Sequence, residues 1–148
     1  MNCPENLSDA LFERKLFLAR RRAENQYKNL DEFSYITHLS SETLSYKGMV
    51  MPHALSEFYL DLQDKNLVTS SCLFHQRFST NTLPEWKLAQ PFRYLAHNGE
   101  INTIQGNRNW ASARAKYFNT DLLGDISDLR PIVSEFGSDS STLDNMLE

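Results

Sequence analysis

The sequence predicts a single α+β domain, and two kinds of pattern support this prediction. Apolar residues recur at helical spacing near residues 9–26, 52–62 and 107–117. Short runs rich in aromatic and β-branched residues, which are typical of β-strands, occur at 33–39, 43–47, 68–74 and 92–96. Tight polar turns follow some of these runs directly, which favours α+β over a regular alternation of strand and helix. A length of 148 residues suits one domain.

The first helix is predicted over the segment LFERKLFLARRRAENQ, and Asn6, Ser8 or Asp9 can cap its N-terminus. One side of this helix is apolar, with Leu7, Leu11, Leu18, Ala19 and Ala23. The other side carries the basic residues Arg14, Lys15, Arg20, Arg21 and Arg22. Since a basic run is most often a solvated helix face, we expect these side chains to be exposed.

A β-hairpin and a second helix are predicted next. Residues 33–39 form the first strand, residues 40–42 a short polar turn, and residues 43–47 the returning strand. Pro52 suits the first turn of a helix that continues at apolar spacing to Leu62.

The second half begins with an extended run at 68–74 and a short strand at 92–96, followed by Asn98-Gly99, a strong signal for a tight turn. A helix is predicted from Asn107, and a last helix begins near residue 139. The chain stops at Glu148 inside this helix with no Gly or Pro stop signal, so we expect it to be a piece of a longer protein.

The composition argues against several functional classes. A net charge of -4 argues against binding to nucleic acid or to an anionic membrane surface. No apolar run approaches the roughly 20 residues that a membrane span needs, and no signal peptide is apparent, so a cytoplasmic location is expected. Two cysteines form no disulfide framework, and four scattered histidines lack the spacing of a metal site.

A first polar cluster, residues 75–82, follows the run at 68–74. Arg77 carries a planar guanidinium that can hold a carboxylate by two parallel hydrogen bonds. Further hydroxyl and amide groups follow at Ser79, Thr80, Asn81 and Thr82. The cluster can be a grip for a small carboxylated ligand. Equally, it can be a loop whose side chains bond to their own backbone, and the spacing does not separate the two.

A second polar cluster is the sequence His97-Asn98-Gly99-Glu100. The amide of Asn98 and the backbone N–H of Gly99 are the donors of which an oxyanion hole can be made. Asn-Gly is also the commonest hairpin turn, and the residues alone favour the plain turn. His97 and Glu100 could act as general acid–base groups, although a histidine beside a turn is usually structural. Later in the chain, Asp139 could accept a ligand ammonium, while Ser138 or Asp139 could simply cap the last helix.

The two clusters share one continuous stretch, FHQRFSTNTLPEWKLAQPFRYLAHNGEINTIQGNRNW, which resembles the N-terminal class II glutamine amidotransferase domain of glutamate synthase large subunits. The resemblance extends to LFERKLFLARRRAE, YKGM and GSDSSTLDNMLE, and so covers nearly the whole chain. It implies an N-terminal-nucleophile hydrolase fold, a four-layer αββα sandwich with two β-sheets between helix layers, of which residues 1–148 would form an incomplete part.

The resemblance also implies a role for each matching residue. Asn98 and Gly99 would form the oxyanion hole, and Asp139 would hold the α-ammonium of glutamine. The α-carboxylate would be bound in a pocket formed by Arg77, Phe78, Thr80 and Asn81.

The nucleophile of the family is an N-terminal cysteine whose own α-amine acts as the general base. Cys3 follows Met1 and Asn2, and Cys72 lies within a predicted strand, where a core position is expected. Neither matches, so the nucleophile is expected to be missing from this chain and the isolated chain to be inactive.

By resemblance, the parent enzyme would release ammonia from L-glutamine and use it to aminate 2-oxoglutarate. FMN and an iron–sulfur cluster would belong to its synthase region and no cofactor to this chain. The partners would be the remainder of the large subunit and a small subunit. Two alternatives stay open: a nucleophile-free module that binds glutamine, and an inert truncated product. The genomic sequence upstream of Met1 would distinguish them.

Overall fold

The computed structural model describes residues 2–28, 30–31, 34–76, 83–98 and 100–148. The α-helices in these ranges are α1 (Asp9–Tyr27), α2 (Leu55–Phe58), α3 (Ile104–Arg114) and α4 (Asp139–Leu147). Short 3-10 helices span Pro52–Ala54, Leu60–Gln63, Trp86–Leu88, Ala115–Tyr117 and Ser127–Leu129. The predicted first, third and last helices are confirmed, although α3 begins at Ile104 rather than at Asn107. The helix predicted from Pro52 to Leu62 is confirmed only in part, because extended backbone at Tyr59 divides it into short α-helical and 3-10 pieces.

Serine hydroxyls cap the helices at the two ends of the chain. Ser8 Oγ accepts a hydrogen bond from the backbone N–H of Leu11 at 3.3 Å, and Ser138 Oγ accepts one from that of Ser141 at 3.1 Å. Each bond satisfies an N–H group that has no partner within its own helix. Of the candidate caps in the sequence, the serines therefore take this position, and Asp139 occupies the first turn of α4.

The core lies between α1 and the segment that leads into α4. Its buried apolar side chains are Phe12, Leu16, Phe92, Ile126, Leu129 and Val133. Leu129, in the 3-10 helix opposite α1, is fully buried. The core is small, and its position fixes α1 against residues 126–133.

The basic side of α1 was expected to be exposed, and for three of its five residues this expectation is wrong. Arg20 is only 3% exposed, and Arg14 and Arg21 are partly buried. Arg21 donates to the backbone carbonyls of Pro131 and Ile132, both at 3.1 Å. Because these acceptors lie 110 and 111 residues away along the chain, the local pattern of charges could not indicate them.

None of the four predicted strands forms within the described ranges. No β-ladder forms in segments 34–39, 43–47, 68–74 and 92–96. Elsewhere in the described residues, Thr120 and Gly124 form an isolated β-bridge. Residue 33 lies outside the described residues. The described part of the chain is therefore helical with extended segments, and the sheets of an αββα sandwich are not present in it.

The hairpin fails because other groups take up its polar atoms. The carboxylate of Glu13, on α1, accepts from Ser40 Oγ at 2.8 Å and from the backbone N–H of Ser41 at 2.7 Å. The guanidinium of Arg93 donates to the carbonyl of Ile36 at 2.6 Å. The turn at 40–42 is present, and the side chains of His38 and Thr43 are hydrogen-bonded across it, but the flanking segments form no backbone ladder.

The run at 68–74 is extended and exposed. Val68 is 84% exposed and Phe74 76%. Cys72 is also exposed, so its predicted core position is wrong. A strand buries a face only when a neighbouring strand or layer covers it, and this run has no strand neighbour among the described residues.

Candidate functional site

Helix α4 holds the segment that carries the second polar cluster. The carboxylate of Asp144, which is 1% exposed, accepts from three successive backbone N–H groups. These belong to Arg93, Tyr94 and Leu95, at 3.3, 2.9 and 3.0 Å. The chain therefore curls around a buried carboxylate over residues 92–96, where a strand was predicted.

Asp139 makes a second attachment near the start of the same helix. Its Oδ2 accepts from the backbone N–H of Ile101 at 2.7 Å, and its Oδ1 accepts from that of Ser140 at 2.6 Å. Partial burial opposes ionisation, but the hydrogen bonds from Ile101 and Ser140, helped by the charge of His97, outweigh it and lower the pKa of Asp139 below its ordinary value. The site therefore contains a fixed anion at neutral pH.

Gln90 makes a third attachment, to His97. Its Nε2 donates to the His97 carbonyl at 2.9 Å, and its Oε1 accepts from the His97 backbone N–H at 2.6 Å. Asn98 follows directly and is exposed. Anchors thus lie on both sides of Asn98: at residues 93–95 and 97 before it, and at residue 101 after it.

The structure brings the segment of Asn98 and the carboxylate of Asp139 to the same helix terminus. The other predicted site residues, Arg77, Phe78, Thr80, Asn81 and Gly99, lie outside the described residues. The ligand roles of all seven therefore stay predictions. Arg108, on α3, steadies the start of α4 by donating to the carbonyl of Gly137 and, at 2.9 Å, to Thr142 Oγ1.

An alternating arrangement of two arginines and two glutamates ties this site to α1. Arg20 bonds to Glu24 and to Glu148, each at 2.8 Å. Arg93 bonds to the same two carboxylates, at 2.5 and 3.2 Å. Each charge has at least two partners of opposite sign, and Glu24 has a third, Arg21, at 3.7 Å. Largely buried charges require such pairing. The arrangement joins α1, the loop at residue 93 and the end of α4.

The supporting residues Gln90 and Asp144 were not predicted. The partners of Asp144 lie 49 to 51 residues away, so no local pattern marks it.

The two cysteines are both free. Cys3 Sγ lies 3.5 Å from the carbonyl of Leu7. Partial burial raises the pKa of the Cys3 thiol, as do a hydrogen bond and charge from Asp9 and the charge of Glu13. A thiol that resists ionisation is a poor nucleophile at neutral pH, because the thiolate is the reactive form.

Among the described residues, no three His, Cys, Asp or Glu side chains come together in a way that could hold a metal ion. No helix in the same ranges combines the length and apolar character needed to cross a membrane.

Comparison with known proteins gives the family. Residues 1–148 match the family model described as class-II glutamine amidotransferases. The chain is 48% identical over 145 residues to the NADPH glutamate synthase large chain of Bacillus subtilis, covering 97% of this chain and 9% of that protein. It is 43% identical over 150 residues to ferredoxin-dependent glutamate synthase 2 of Synechocystis, covering 100% of this chain and 9% of that protein. It is also 43% identical over 142 residues to the NADH glutamate synthase of Saccharomyces cerevisiae, covering 95% of this chain and 7% of that protein.

The chain therefore spans less than a tenth of the length of these relatives. The family match covers every residue, and the relatives include synthases named for three different electron donors. The chain belongs to the class II glutamine amidotransferases, and it corresponds to part of the N-terminal amidotransferase domain of the glutamate synthase large chain.

Proposed function

We propose that this chain forms the glutamine-holding part of a glutaminase centre, which releases ammonia from L-glutamine for the synthesis of glutamate. Family membership supports the reaction class. The observation that carries the proposal is the attachment of Asp139 to Ile101, three residues beyond Asn98. It links the residue proposed for the ammonium end of the substrate to the segment proposed for its amide end.

Asp139 is the proposed partner of the substrate α-ammonium. A carboxylate offers about four lone-pair positions, and backbone N–H groups use two of those of Asp139. The lowered pKa keeps the group charged at neutral pH, so that it can accept from an ammonium as an ion pair. Arg77, Phe78, Thr80 and Asn81 are assigned to the carboxylate end by resemblance.

Asn98 and Gly99 are the proposed oxyanion hole. A thiolate that adds to the γ-carbonyl carbon shifts charge onto the oxygen, and two fixed N–H donors stabilise that charge. The α-amine that took the thiol proton returns it to the amide nitrogen, so that collapse of the adduct expels ammonia and leaves a thioester. Water then hydrolyses the thioester to glutamate and the free thiol. Removal of one such donor typically lowers kcat by about 10²–10³-fold.

We assign the nucleophile to neither Cys3 nor Cys72. The raised pKa of the Cys3 thiol supports the first exclusion, and Cys72 lies in the exposed run at 68–74. The isolated chain is accordingly expected to release no ammonia from glutamine. In the whole protein, amination of 2-oxoglutarate with FMN and an iron–sulfur cluster is assigned to other parts of the large subunit, with a small subunit as a further partner.

A graft tests the proposal. This chain replaces the matching segment of the Bacillus subtilis large chain, and glutamate formation is measured with glutamine and, separately, with ammonium as the nitrogen source. Asp139→Asn removes a charge-assisted hydrogen bond, which corresponds to a rise in KM for glutamine of about ten- to hundredfold. The rate with ammonium bypasses the glutaminase and should not change. Asp121→Asn, at an exposed aspartate, is the matched control.

Four results would count against the proposal. A graft that uses ammonium but not glutamine would remove the glutaminase function. Equal KM values for Asp139→Asn and Asp121→Asn would remove the role of Asp139, and calorimetry showing equal glutamine affinity in Arg77→Ala would remove that of Arg77. Ammonia release by the isolated chain that is lost in Cys3→Ser would overturn the assignment of the nucleophile.

A further inference from the structure

We infer that Gln90 is a positioning residue for Asn98, and that it acts by holding both backbone polar groups of His97. The inference rests on the proposed role of Asn98 in the oxyanion hole. It adds a residue that touches neither the substrate nor the nucleophile but sets the direction in which the chain enters Asn98.

The Gln90 side chain makes the same pair of hydrogen bonds to His97 that a residue of a neighbouring β-strand would make. A primary amide presents one donor face and one acceptor face, as a peptide group does. Gln90 uses Nε2 toward the His97 carbonyl at 2.9 Å and Oε1 toward the His97 N–H at 2.6 Å. The first distance lies in the usual range for an N–H···O hydrogen bond and the second is slightly shorter, and both groups are partly buried.

The paired bond, which we call the Gln90 clasp, replaces a contact that the backbone does not supply. Residues 90–98 have no β-ladder in the described part of the chain, so no neighbouring strand fixes the plane of the His97 peptide. The Asp144 anchor ends at Leu95, and the Asp139 anchor begins at Ile101. The Gln90 clasp is thus the attachment closest to Asn98. Donors of an oxyanion hole must be fixed before the reaction, because reorienting them would raise the barrier.

If Gln90 acts through these two hydrogen bonds, the effect of its replacement by glutamate should depend on pH. A role in apolar packing alone would not predict this dependence. In Gln90→Glu at neutral pH, the ionised carboxylate sets an oxygen against the His97 carbonyl. Repulsion between these two acceptors displaces the side chain, so the bond from the His97 N–H is weakened as well. Once protonated, the same carboxyl has one O–H donor and one acceptor, and both bonds can return. Gln90→Asn keeps the amide but is one methylene shorter, so it cannot be rescued by acid.

The test is nuclear magnetic resonance of the full chain labelled with ¹⁵N. Relative to the unsubstituted chain at the same pH, Gln90→Glu at pH 7 should exchange the His97 amide hydrogen about three- to tenfold faster, the worth of one hydrogen bond. The side-chain amide resonances of Asn98 should shift with it. Both effects should disappear as the introduced carboxyl is protonated, while Gln90→Asn stays altered at every pH. The control is Gln63→Glu, at an exposed glutamine that donates to the Ser56 carbonyl at 2.7 Å.

Unchanged His97 and Asn98 signals in Gln90→Glu, or equal changes in Gln63→Glu, would overturn the inference. If Gln90→Glu does not fold, the rate of amide hydrogen exchange at His97 in the unsubstituted chain tests the inference instead. A His97 amide protected at least tenfold relative to exposed Val68 supports the clasp, and one that exchanges as fast as Val68 overturns it.

Steady-state kinetics of the grafted Bacillus subtilis large chain provide a second test. Gln90→Glu should lower kcat with glutamine about tenfold, leave KM for glutamine within about twofold, and leave the rate with ammonium unchanged. A rise in KM with unchanged kcat would contradict a positioning role. A graft without any glutamine-dependent turnover would defeat the proposed function, while the resonance measurements would still decide whether the clasp exists.

Discussion

Replacement of Asp144 by asparagine tests the packing of α4 most directly. The carboxylate accepts from Arg93 through one oxygen and from Tyr94 and Leu95 through the other, and it is almost fully buried. Asparagine keeps one acceptor oxygen of the same shape. Its amide group can replace the second oxygen only by turning a donor toward a backbone N–H that is also a donor.

The cost follows from this count. One buried N–H loses its acceptor, which costs about 1–3 kcal/mol. The other two bonds lose their charge assistance, which weakens each by very roughly half. The sum is a loss of about 2–4 kcal/mol in the free energy of unfolding, against the roughly 5–15 kcal/mol typical of a domain. The variant should therefore fold but denature at clearly lower urea concentration.

The assay is urea denaturation of the full chain, followed by tryptophan fluorescence and by far-ultraviolet circular dichroism. Asp121→Asn, at an exposed aspartate, is the control for the loss of one negative charge. A difference of less than about 0.5 kcal/mol between the two variants would refute the reasoning, because it would place Asp144 among ordinary surface positions.

Two further predictions concern Lys47 and Ser8. Burial, and then the charge of Arg93, lower the pKa of Lys47 to about 8, while an unfolded lysine keeps its proton to about 10.5. The unfolded state therefore binds more protons between these values, so stability should rise with pH across this window, by up to about 3 kcal/mol. Urea denaturation from pH 7 to 10.5 should show this rise against Lys47→Met, and parallel curves would contradict it. Ser8→Ala removes the N-cap of α1 and should cost about 1 kcal/mol, measured by thermal denaturation, whereas Ser8→Asn should restore most of it.

The helices were predictable because their signals are local. A cap and a stripe of apolar residues lie within about 20 residues of each other, and both act on the same segment. Ser8 and Ser138 were among the candidate caps, and both are used. The burial of Arg20 was not predictable, since one of its partners, Glu148, lies 128 residues further along the chain.

The strands were predicted wrongly for the opposite reason. Aromatic and β-branched runs show that a segment favours extended backbone, but pairing also needs a second backbone at the right distance. At residues 34–39 and 92–96 the polar groups are taken by side chains of distant residues. At residues 68–74 no partner strand is present among the described residues, and the run stays extended and exposed.

The candidate site divides in the same way. The site roles of Asn98 and Asp139 were predicted from residue chemistry and from the family resemblance, which depends on the amino-acid sequence rather than on packing. Gln90 and Asp144, which hold the segment of Asn98, have no such mark, because each acts through hydrogen bonds to backbone groups that any residue would carry. Sequence patterns identify residues that can bind or react, but the residues that position them are recognised only from tertiary contacts.

Two carboxylates on α4 hold the chain on both sides of Asn98. Asp139 and Asp144 are five positions apart, which corresponds to about 7.5 Å along the helix axis. The N–H groups of Ile101 and Leu95 bond to these two carboxylates at 2.7 and 3.0 Å, so the register of α4 limits how far apart these two residues can lie. Asn98 lies midway between them in sequence. The same helix that presents Asp139 to the proposed ammonium end of glutamine therefore also constrains the position of the proposed oxyanion donor.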